Sequence, residues 1–99
     1  MIVGVCRLTL SIAGSYSLKD KRRVVKSLVE RMRHRYNVAV AEVDEHEIWN
    51  AAVVGVCAVS TGSAHVREIL DHIVAFVENG HGHADAELVD HTIEILTGL

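Results

Sequence analysis

The chain has 99 residues, 49% of them apolar and only four aromatic, which is enough for one aliphatic core and too little for two domains. Its net charge of −3 conceals a segregation: eight of the ten basic residues fall between Lys19 and Arg35, so residues 18–36 carry +6 and the rest of the chain carries −9. No run of 18 apolar residues exists to form a membrane-spanning helix, and no catalytic signature accompanies the charge.

Residues 2–12, IVGVCRLTLSI, alternate and are rich in β-branched side chains up to the turn chemistry of Ala13, Gly14 and Ser15, and they predict a strand. A helix is expected over residues 18–36. Ser17 and Asp20 have capping-box spacing, Leu18, Val25, Leu28, Val29, Met32 and Tyr36 keep to helical spacing, and Asn37 supplies a stop. Residues 38–43 and 51–60 read as short apolar strands joined by the polar stretch 44–50, which suits a hairpin loop. After a loop and cap at residues 60–63, Val66, Ile69, Leu70, Ile73, Val74 and Val77 predict a second helix ending at Asn79 and Gly80. Across residues 84–96 apolar side chains are interspersed with charges, which predicts a last strand. The N-terminus enters its strand with neither a basic region nor a small-residue cleavage site, so a cytoplasmic protein without a signal peptide is expected. Cys6 and Cys57 lie inside apolar runs rather than in ligand-spaced pairs, predicting buried free thiols and no disulfide.

The order βαββαβ predicts a single α+β domain of the ferredoxin-like fold. Two right-handed βαβ units interleave into a four-stranded antiparallel sheet with both helices on one face. One helix-covered face needs apolar side chains only at alternate positions, yet Ile2, Val3, Val5, Cys6, Leu8, Leu10 and Ile12 are apolar in the first strand, and so is nearly every position of residues 53–59. Strands buried on both sides have this character. The helix-free face is therefore expected to be covered by a second copy in a two-fold homodimer.

The segments SLKDKRRVVKSLVERMRHRYNVAVAEVD (residues 17–44), VVGVCAVST (53–61) and HVREILDHIVAFVE (65–78) resemble the YlxP-like family of small bacterial proteins, a family of unknown function. The most distinctive part is S-L-K-x-K-R-R followed by N-V-x-V-A-E-V. The resemblance implies a ferredoxin-like domain, with genes that in some bacteria lie near those for translation initiation and ribosome maturation factors. It implies no reaction, and the GHGHA stretch at residues 80–84 has no counterpart in it.

On a helix, Lys19, Arg22, Arg23, Lys26 and Arg33 fall away from the apolar stripe and form a ridge on an element about 28 Å long. Ser15, Ser17, Lys19 and Lys21 gather near the free N–H groups of the first turn, where an anion is best received. The candidate nucleic-acid or anion-binding residues are accordingly Ser17, Lys19, Lys21, Arg22, Arg23, Lys26 and Arg33. A ridge suits a polyanion better than a small ligand, through phosphate contacts that ignore base sequence and weaken as salt rises. The competing reading is a solvated helix face, or one paired with Glu42, Asp44, Glu45 and Glu47 of the hairpin. The expected function is a non-enzymatic accessory factor that binds RNA or a ribosome-associated partner. The alternative is a dimeric protein-interaction or small-ligand regulatory module.

Other chemistries are weaker. The two central strands hold no aromatic on which bases could stack, so RNA contact is expected from the helix side. Tyr16 and Trp49 fall in loops, where closing the edge of the core is the expected role and stacking a base is the alternative. His81 and His83, with Asp85 near, or His46 beside Glu45 and Glu47, invite a metal, but the His-Gly-His pair sits in a turn with no evident ligand set or second shell to fix its orientation, so no metal site and no cofactor are expected. Asp71 with His72, and Asp90 with His91, are sequence neighbours whose side chains diverge and make no catalytic dyad.

Overall fold

The structure is a computed structural model that describes all 99 residues. The elements are β1 (Ile2–Ile12), α1 (Leu18–Arg35), β2 (Ala39–Asp44), β3 (Ala51–Ser60), α2 (Ser63–Glu78) and β4 (Ala86–Leu96). They form one antiparallel sheet in the order β2-β3-β1-β4. Each βαβ crossover skips one strand position, and the other unit fills the gap, which is the ferredoxin-like arrangement.

Register determines which side chains meet the helices. Cys6, Leu8 and Leu10 of β1 lie opposite Val56, Val54 and Ala52 of β3, and all six are buried. Val24, Val25, Leu28, Val29 and Met32 of α1 close over them with Val66, Leu70, Ile73, Val74 and Val77 of α2. A fully buried Leu or Val in such a cluster contributes about 1.5–3 kcal/mol by leaving water.

Helix α2 ends in a Schellman motif: the Gly80 N–H donates to Val77 O (3.1 Å), the His81 N–H donates to Phe76 O (3.0 Å), and Gly80 has φ 76°. The chain then folds back beneath α1. Gly82 is buried, and a Cβ there would collide with Leu28 Cδ1.

The helix-free face carries Val5, Arg7 and Thr9 of β1 and their partners Cys57, Gly55 and Val53 of β3. Val5 and Cys57 are half-buried, Val53 is buried, and Val43 and Val59 are exposed. They belong to a shallow apolar face with a groove of about 730 Å³ bordered by Val5, Arg7, Val43, Cys57, Thr92 and Glu94. Cys6 is buried as expected, whereas Cys57 is not a core thiol. Because Cys6 pairs with Val56, the two-residue period turns Cys57 to the opposite face. No helix is long and apolar enough to cross a membrane.

Candidate nucleic-acid interface

Helix α1 begins with a side-chain cap. Ser17 Oγ accepts the Asp20 N–H (3.1 Å), and the Asp20 carboxylate accepts the Tyr16 N–H (3.1 Å), so the reciprocal bond falls one residue before the expected box. Ser17 is thus engaged in holding the helix, and Asp20 already places a carboxylate in the positive first turn.

Lys19, Arg22, Arg23, Lys26 and Arg33 are exposed, as the helical spacing predicts. Lys21 is not with them. It is 0% exposed, and its ammonium donates to Glu45 O (2.7 Å) and His46 O (3.2 Å). It also lies 3.0 Å from Glu42 Oε2, without hydrogen-bond alignment. Lys21 stands three, four and seven residues before Val24, Val25 and Leu28, in the middle of the inward stripe. Lys21, expected among the anion-binding residues on its charge, belongs by its phase to the buried stripe and not to the ridge. Glu45, whose carbonyl it holds, is the one non-glycine residue with positive φ, at 61°.

The ion pairs are Arg7 with Asp44 (3.0 Å), Lys21 with Glu42 and Arg67 with Asp71 (3.3 Å). None involves the five exposed ridge residues. The Glu45 N–H, followed by the Arg7 guanidinium, holds the Asp44 carboxyl below its ordinary range. Pairing between α1 and the hairpin acids therefore describes Lys21 and not the ridge. Arg33 reaches over the sheet edge to donate from Nη2 to Val40 O (2.5 Å) while the residue as a whole stays exposed.

A second basic flank was not singled out from the sequence. Arg31, His34 and Arg35, with Ser27, Glu30 and Phe76, line a groove of about 770 Å³ on the α2 side of α1. The Arg35 guanidinium lies 5.8 Å from the Phe76 ring centroid and 6.0 Å from that of Tyr36. His81 stacks on Phe76 at 6.1 Å, and His83 Nδ1 accepts the Asp85 N–H (3.0 Å). Nowhere do three His, Cys, Asp or Glu side chains converge as a metal would require. Burial, with Asp71 nearby, pushes the Cys6 thiol up to about 11. Tyr16 and Trp49 do not pack on the core cluster: Tyr16 stands in solvent and Trp49 is about half covered.

These features define the class: a ferredoxin-like domain with a long helix whose outward basic residues form no ion pair within the fold, although Glu30 shares their face. Residues 3–93 match the family described as Protein of unknown function (DUF503), and the chain belongs to that family. It is similar to the uncharacterized protein YlxP of Bacillus subtilis (strain 168), at 27% identity over 78 residues, covering 79% of this chain and 85% of the relative. Among solved structures it is similar to the de novo designed protein Foldit4, with a TM-score of 0.51 and 14% identity over 99% of this chain and 98% of that one. That last likeness shows the fold alone.

Proposed function

We propose that the protein is a non-enzymatic cytoplasmic accessory factor that binds RNA, free or within a ribonucleoprotein, through the exposed face of α1. The observation that carries this reading is that Lys19, Arg22, Arg23, Lys26 and Arg33 share one solvent-facing ridge and none forms an ion pair. Guanidinium and ammonium groups that are free of ion pairs and spaced along a rigid helix match the spaced charges of a phosphate backbone. Fluorescence anisotropy with a structured RNA at two salt concentrations tests it. Affinity should fall steeply with salt, and changing Lys19, Arg22, Arg23 and Lys26 together to Glu should abolish binding. Unchanged affinity in that variant would overturn the reading.

The helix-free face presents apolar surface around Val5, Val43 and Cys57 and carries both signs of charge, Arg7 with Asp44, Asp90 and Glu94. A face that mixes these groups is chemically suited to meet its own copy across a two-fold axis, and a homodimer would leave both α1 ridges pointing outward.

A further inference from the structure

The aromatic pair at the start of α1 has a chemistry that the ridge lacks. Tyr16, just before the helix cap, is 84% exposed, and Trp49, just before β3, is 46% exposed. Their rings are within 19° of parallel, with centroids 6.5 Å apart. Tyr16 forgoes the burial that usually justifies an aromatic residue, and Trp49 keeps nearly half of its surface in water beside it.

The backbones beneath them are nevertheless fixed. The buried Ser15 hydroxyl shares its proton between Trp49 O and Ser17 O, tying the β1–α1 turn to the hairpin. The Tyr16 N–H donates to the Asp20 carboxylate, and the Lys21 ammonium anchors the other limb of the hairpin through Glu45 O and His46 O. The rings are therefore carried on a built support rather than on slack loops. Lys19 follows Tyr16 by three residues in the first turn of α1, and Arg22 and Arg23 continue the basic surface. Asp20, Glu45 and Glu47 also stand in these two segments, and their charges disfavour a phosphate on the hairpin side.

We propose that Tyr16 and Trp49 form a stacking platform for an unpaired nucleotide of bound RNA, the base resting on the rings while the adjoining phosphates run along Lys19, Arg22 and Arg23. The proposal rests on the RNA reading and sharpens it. The partner must offer a single-stranded base at a loop, bulge or end, because a base inside a duplex has no free face. It also relocates base contact from the sheet, whose central strands hold no aromatic, to the loops beside the helix.

Trp49 is the only tryptophan, so its emission reports on the platform directly. The wild-type protein is titrated with an unstructured RNA 12-mer and with a blunt duplex containing the same strand. The single strand should quench or shift Trp49 emission, and the duplex should not. Labelled-RNA anisotropy should show that Tyr16→Ala and Trp49→Leu each weaken single-strand binding about 5- to 100-fold, the loss expected for one stacked base. Duplex affinity and the salt slope should not change, and unaltered circular dichroism melting would establish that the variants fold. If the ridge binds the single strand with Trp49 emission unmoved and Tyr16→Ala silent, the platform is overturned while the RNA reading stands. If the wild type binds neither RNA, both are overturned together.

Discussion

Lys21 and Cys6 show how a single side chain is assigned its role by its phase. Lys21 spans from the core stripe of α1 to the hairpin, where its ammonium meets two carbonyls and the Glu42 carboxylate. Lys21→Ala would leave Glu42 in a protein-walled site without its cation, a loss of about 3–5 kcal/mol in a denaturant titration. The pair Lys21→Met with Glu42→Leu should recover most of that loss, because an apolar pair leaves no charge stranded. Cys6 makes a prediction in pH. Its folded thiol titrates at about 11 against an ordinary 9.0, so folding favours the protonated form. That stability is complete below pH 9, where folded and unfolded thiols both hold their proton. It is lost as pH rises toward 11, where only the unfolded thiol ionises. The stability advantage of the wild type over Cys6→Ala should therefore shrink between pH 9 and pH 11, by roughly 2–3 kcal/mol, when urea unfolding is followed at each pH.

At the scale of elements, each of the six was legible from hydrophobic period and turn chemistry, because these are local properties. The helix expected at residues 18–36 runs Leu18–Arg35, and the strand expected at 84–96 runs Ala86–Leu96. The caps were legible too, and each can be tested. Ser17→Ala removes the acceptor for the Asp20 N–H and should cost about 1 kcal/mol of stability. Gly80→Ala puts a Cβ into the left-handed conformation that closes α2, for a similar cost of about 1–2 kcal/mol by thermal melting. The meaning of the loops was not legible. Tyr16 and Trp49 share no periodic pattern with neighbours, and their exposure follows from long-range ties such as Ser15 to Trp49. Likewise the GHGHA stretch suggested histidine chemistry, yet its buried residue is Gly82, which fits under Leu28 only because it has no side chain.

At the scale of the whole molecule, the charge asymmetry becomes an architecture: a basic helix on one side of the sheet and an apolar, mixed-charge face on the other. The doubly apolar strands were visible in the sequence because each central strand carries apolar groups on both of its faces. The helices cover one of these faces, whereas on the other Val53 alone is buried within the single chain, Val5 and Cys57 are half-buried, and Val43 and Val59 are exposed. A second copy would bring Val5, Val43 and Cys57 out of water, and Cys57 gives a chemical reading of that event. Cys6 is buried in the core and should resist a thiol reagent at every protein concentration, whereas half-buried Cys57 should react quickly in dilute protein. As concentration rises through the micromolar range, Cys57 should become protected in step with the monomer-to-dimer transition seen by sedimentation. Val5→Asp should leave the fold intact, hold the protein monomeric and keep Cys57 reactive throughout. A wild-type monomer at these concentrations, with Cys57 equally reactive in all of them, would show that the open face has another purpose. The α1 ridge would then be tested as the surface of a monomer, with RNA affinity expected to be the same in wild type and Val5→Asp.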